Sequence, residues 1–169
     1  MSEPTIRVAF SAWPYFNAQM RDAVSRLTDE QLAQQPSPDR WPMWATVGHV
    51  ACQRVYGLCD VANEPGAETT PFTNAACDCP GDDDLEHVLG VQELVAALDS
   101  TYAIVEDRLD RWTIDMLADE IRHPEWGPDS VSTRGAILQR AFAHDVSHAT
   151  ELNEMFGRWG LPQMALWDW

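Results

Sequence analysis

Apolar residues recur every three or four positions in four separate stretches of this chain, and no two-residue alternation lasts long enough to build a sheet. Each stretch predicts an amphipathic helix. The first runs from about Thr5 to Leu27, with Ile6, Phe10, Trp13, Phe16, Met20 and Val24 near one face, and Pro14 within it predicts a kink or a late start. "TDEQL" (28–32) reads as a short capped turn leading into the linker "QQPSPDRWP". The second helix begins near Pro42, a residue suited to a first turn, and runs to about Asn63. The third is expected from about Asp84 to Trp112, broken at Gly90, its start favoured by the acidic run Asp82–Asp84. "TIDMLADEI" adds a short turn, and "RHPEWGPDS" reads as a loop. The fourth helix starts at a Ser132 or Thr133 cap and runs to Arg158, stopped by Gly160 and Pro162. Four such helices around one core predict an all-α four-helix bundle, one domain over residues 1–169. The tail "LPQMALWDW" is expected to pack back on the body or on a partner chain, with Trp167 and Trp169 as contacts for a homodimer.

Net charge is −16, and all 11 basic residues are arginine, which argues against nucleic acid or an anionic membrane as partner. The acidity reads as a solvated surface. No stretch approaches the ~20 apolar residues of a membrane span, and the N-terminus lacks a basic start followed by an apolar run. A cytoplasmic location is therefore expected, with all four cysteines reduced. Cys52 and Cys59 read as small core residues, while Cys77 and Cys79 lie in the irregular stretch "EPGAETTPFTNAACDCPGDDD" as loop residues or a weak thiolate site.

The chemistry-bearing pattern is "HDVSH". His144 and His148 are four apart in the fourth helix and so share a face, near Ala141, Leu152 and Met155. Burial and mutual repulsion favour neutral imidazoles, which are good metal ligands. Such a pair can equally be two hydrogen-bonded or exposed histidines. It is not the zincin signature, because Asp145 stands where that motif needs the glutamate base. His49 sits among apolar residues in "WATVGHVACQRVYG". Should it meet the pair across the core, three imidazoles with one open position make the ligand set of a catalytic divalent metal. Glu151 is a candidate partner or proton shuttle on the same face, or an ordinary solvated glutamate. Gln53 and Tyr56 follow His49 at helical spacing and either line a pocket or pack. His87 and His123 have no supporting spacing.

The order of "DRWPMWATVGHV", a long connection, a third helix and "HDVSHATELNEMFGRWGLP" resembles the DinB-like superfamily, which includes YfiT-like metal-dependent hydrolases and thiol-dependent S-transferases. The resemblance spans nearly the whole chain. It implies an up-down-down-up path with the 64–83 stretch as crossover between helices two and three, and a zinc or nickel ion held by His49, His144 and His148. It also implies a homodimer and, in members of known activity, a low-molecular-weight thiol such as bacillithiol or mycothiol. The function expected is thiol-dependent S-transfer to a small electrophile; the alternatives are metal-dependent hydrolysis of a small substrate and a non-enzymatic metal-binding or interaction role. Thiol activation needs no glutamate base, since a metal lowers the pKa of a thiol it binds.

Overall fold

The computed structural model of the chain describes residues 4–123, 127 and 129–168. Trp169 and most of the "HPEWGP" segment of the loop expected after the third helix lie outside these.

The first apolar stripe divides in two. A 3-10 turn over Ile6–Phe10 precedes α1 (Trp13–Ser25), and Pro14 sits in the first turn of α1, where its missing N–H leaves no bond unmade. Pro14 therefore marks a late start and not a kink. In α2 (Asp29–Leu32), the Thr28 hydroxyl accepts from the Gln31 N–H while the Gln31 side chain accepts from the Thr28 N–H, a reciprocal cap. Pro42 caps α3 (Met43–Val55), which passes directly into a π-helical turn over Tyr56–Val61.

The third helix starts later than its acidic run suggests: α4 spans Val91–Arg111. The Asp84 carboxylate accepts from the N–H groups of Glu86 (2.7 Å) and His87 (3.2 Å), so it closes a local turn instead of opening a helix. At the true start, Val91 N–H donates to Asp29 (2.9 Å) and Gly90 N–H to Glu93 (2.9 Å). "TIDMLADEI" forms a 3-10 turn over Asp115–Ala118. Two short strands absent from the sequence-based expectation, β1 (Glu120–Ile121) and β2 (Ser132–Thr133), pair antiparallel. They lead into α5 (Arg134–Arg158), where the Thr133 hydroxyl accepts from Ala136 N–H (3.1 Å).

The fold is mostly helical, and the four longer helices share one core, α1 and α3 each packing against α4 and α5. Helix α3 is the innermost: every residue in it except Gln53 is buried. A helix that is apolar nearly all round belongs inside a core. The connection from residue 64 to 84 returns across α3 in close contact. A Cβ on Gly48 would meet Pro80 at 2.9 Å, so glycine is what admits the loop there. Gly81 (φ 88°) makes the turn that follows, against the Trp41 ring.

This return path overturns the expectation that all four cysteines are reduced thiols. Cys52 of α3 and Cys79 of the connection form a disulfide, with Cα atoms 5.6 Å apart and a sequence separation of 27. Cys79 is thus no partner for Cys77 in a thiolate site. Cys59 and Cys77 are free thiols, Cys77 exposed, and burial pushes the Cys59 thiol pKa up. The C-terminal tail does pack back: Met164 and Leu166 are buried, and Met164 N–H donates to Asn153 (2.6 Å). Trp167 is 84% exposed. Among the described residues no helix is long and apolar enough to cross a membrane.

Candidate metal centre

Helices α3 and α5 pack together, and this joins the three histidines. His49 and His144 face each other Nε2 to Nε2 at 3.0 Å. The ring of His148 lies 5.2 Å from that of His49 and 4.5 Å from that of His144, centroid to centroid. One ligand atom from each histidine falls within 4.8 Å of the others. A tetrahedral ion with nitrogen ligands at 2.0–2.1 Å requires edges of ~3.3 Å, so these side chains fit a divalent ion with little movement.

The far side of each ring decides how it is held. His148 Nδ1 lies 2.8 Å from the Glu151 carboxylate one turn on, which leaves Nε2 as the nitrogen available to a metal. His49 is 5% exposed; its Nδ1 faces the returning connection, with the Asp82 carboxylate at 3.5 Å, and its ring lies 4.8 Å from that of Trp41. His144 Nδ1 is buried and makes no hydrogen bond. Burial, then the neighbouring His148, His49 and Arg140, push the His144 pKa down to about 3. Burial also lowers the pKa of His49, with Asp82 opposing. Both rings are neutral at pH 7, the form that binds metal.

Two cavities open beside the cluster. One, about 70 Å³, runs along the π-helical turn between Tyr56, Val61, Ile137 and His144. The other, about 320 Å³, lies under the connection and reaches His49, Asp82 and Asp83. Gln53, Tyr56, Arg140 and His144 line both. The π turn widens the helix where the wall needs to recede, a frequent use of such turns at functional sites.

A model of the DinB superfamily matches residues 17–152. The chain belongs to the DinB superfamily. Three solved structures share its fold. A DinB-like protein from Bacillus cereus is 16% identical with a TM-score of 0.67, the match covering 95% of this chain and 97% of that one. A conserved protein from Enterococcus faecalis also has 16% identity and a TM-score of 0.67, covering 91% and 96%. A DinB-like protein from Bacillus subtilis has 17% identity and a TM-score of 0.59, covering 91% and 93%. No curated protein matches the chain.

In this DinB-family chain the expected trio converges, Glu151 touches His148, and Gln53 and Tyr56 reach the cavities. His87 is exposed and pairs with Asp84 (2.5 Å), which raises its pKa; it precedes α4 and is no part of the cluster. His123 lies 3.5 Å from Asp60, also apart. Three contributors escaped the sequence-based expectation. Arg140 was legible, since it precedes His144 by one helical turn. Asp82 and the Arg54–Asp145 ion pair were not, because their partners are remote in the chain.

Proposed function

We propose that this chain is a metal-dependent enzyme that transfers a low-molecular-weight thiol to a small electrophile. The observation that carries the reading is the three-histidine cluster with its nitrogen atoms turned toward one point beside an open cavity. His49, His144 and His148 would hold one zinc or nickel ion. Bound there, the ion would supply a lowered pKa for a thiol or a water.

The protein groups divide the remaining work. Glu151 fixes the His148 tautomer, and Asp82 and Trp41 orient His49. Tyr56, Ile137 and Val61 form an apolar wall that suits an organic electrophile. In the reaction the thiol gives up its proton to solvent water, the sulfur bonds to the electrophilic carbon, and the leaving group departs with its bonding pair. Hydrolysis ranks second because Asp83 already accepts from Cys79 N–H (3.0 Å), and Asp82 lies 3.5 Å from His49 Nδ1, on the side of the ring away from the cluster. The same reading gives the four longer helices an up-down-down-up path in one domain with residues 64–83 as crossover, and a homodimer that covers exposed Trp167.

Two measurements test the proposal. Elemental analysis of untagged protein is expected to find about one zinc or nickel per chain, lost in His49→Ala, His144→Ala and His148→Ala. Retention of metal by all three variants refutes the site. Metal-loaded protein is then given chlorodinitrobenzene with bacillithiol, mycothiol, glutathione or coenzyme A in turn, and conjugation above background that vanishes in His148→Ala is expected. If no thiol is consumed while ester or amide substrates turn over, the hydrolase reading replaces the transferase. If both panels are silent, a binding role does.

A further inference from the structure

Arg140 is an exposed guanidinium on the wall shared by both cavities, one helical turn before His144. The chain carries 27 acidic residues against 11 arginines. Most of the arginines are paired: Arg7 with Asp110, Arg21 with Asp99, Arg54 with Asp145, Arg108 and Arg134 with Glu64, Arg111 with Asp107 and Arg122 with Glu120. Arg140 has no ion-pair partner among the described residues, although two carboxylates line the same cleft. Asp83 accepts from the Cys79 N–H, and Asp82 lies 3.5 Å from His49 Nδ1 without a hydrogen bond to it.

We propose that Arg140 is a substrate-binding residue and that the ligand of this site carries a carboxylate, which the guanidinium grips while the ligand's reactive end lies at the histidine cluster. A guanidinium presents parallel N–H donors that match a carboxylate's two oxygens, a geometry lysine cannot offer. Gln53 near the end of α3 and Tyr56 in the π turn line both cavities with Arg140 and offer an amide and a phenol to the same anion. Their neighbour Ile137 supplies the apolar contact. The ligand is thus a short organic acid with an apolar middle. The inference deepens the proposed function and rests on it for which end of the ligand reacts. The carboxylate can belong to the thiol or to the electrophile.

The test compares probes with and without the carboxylate in wild type, Arg140→Gln and Arg140→Lys. For the thiol, cobalt-substituted protein is titrated with 3-mercaptopropionate and with 2-mercaptoethanol, read by the sulfur-to-cobalt charge-transfer band. For a non-thiol ligand, 3-phenylpropionate and 3-phenylpropanamide are titrated against tryptophan fluorescence, with and without zinc. Arg140→Gln is expected to weaken binding of at least one acid tenfold or more, leave its neutral counterpart within twofold, and be only partly rescued by Arg140→Lys. The pair that responds tells which substrate carries the acid. Equal effects on acid and neutral probes, or none on either pair, overturn the proposal. Failure of wild-type protein to show cobalt bands sinks the metal reading instead, and the metal-free fluorescence titration still decides the role of Arg140.

Discussion

Arg54 and Asp145 form an ion pair at 2.8 Å with side chains only 1% and 2% exposed. Arg54 comes from the helix that carries His49, Asp145 from the helix that carries His144 and His148. The same Asp145 oxygen also accepts from Trp13 Nε1 (2.7 Å) of α1, and Arg54 donates to the Leu98 carbonyl (3.3 Å) of α4. One salt bridge thus ties α1, α3, α4 and α5 together beside the cluster. Asp145 occupies the position of a zincin base, yet it points to the core. Removing one partner strands the other charge in the interior, so Asp145→Ala is expected to destabilise the fold by about 3–5 kcal/mol in urea denaturation. The double variant Arg54→Met with Asp145→Leu is expected to recover most of that loss. A cost below about 1 kcal/mol for Asp145→Ala means the pair is hydrated and not buried.

Glu151 holds His148 through Nδ1. Partners of this kind typically change metal affinity by 10–100-fold. Glu151→Gln is expected to weaken zinc binding by that factor in competition with a chromogenic chelator, without altering the unfolding midpoint of the metal-free protein. Unchanged affinity assigns Glu151 to surface solvation.

The Cys52–Cys79 bond closes a loop of 27 residues. The chain-entropy treatment gives ~3.5 kcal/mol of stabilisation for a loop of this length. Cys52→Ser with Cys79→Ser is expected to lose about that much, measured under non-reducing conditions. Alkylation of unreduced, denatured protein is expected to label two cysteines, Cys59 and Cys77; four labels refute the pairing.

In the metal-free protein His144 stays neutral to about pH 3, whereas in the unfolded chain it protonates near pH 6.5. Between these values the unfolded state binds the extra proton, so stability is full above pH 6.5 and falls as the pH drops toward 3. For one histidine the loss between pH 7 and pH 5 is about 2 kcal/mol. Replacing it in His144→Leu is expected to shrink the pH 7 to pH 5 stability difference by that amount. An unchanged difference shows that His144 is protonated in the fold at pH 5.

The core is continuous without any ion, unlike that of a zinc finger. Adding EDTA to metal-loaded protein is expected to lower Tm while the far-UV helical signal at 25 °C persists. Complete loss of that signal contradicts an autonomous core.

The periodicity of apolar residues by itself determined the four helices, because a 3.6-residue repeat decides which side chains can share a face before any partner is known. His144, His148 and Glu151 were legible for the same reason: they lie within two turns of one helix, and local geometry alone brings them together. Asp84 shows where local reasoning fails, since its carboxylate had two uses: it closes a turn, while Asp29, remote in sequence, accepts from Val91 N–H at the true helix start. Residues brought together from remote segments were decided only by the tertiary structure. His49 reaching His144, Arg54 reaching Asp145, Cys52 bonding Cys79 and Asp82 covering His49 all depend on how α3 lies against α5 and how the connection returns past Gly48. Those placements come from summed burial over the whole core, a non-directional quantity that leaves no mark at any single position in the chain.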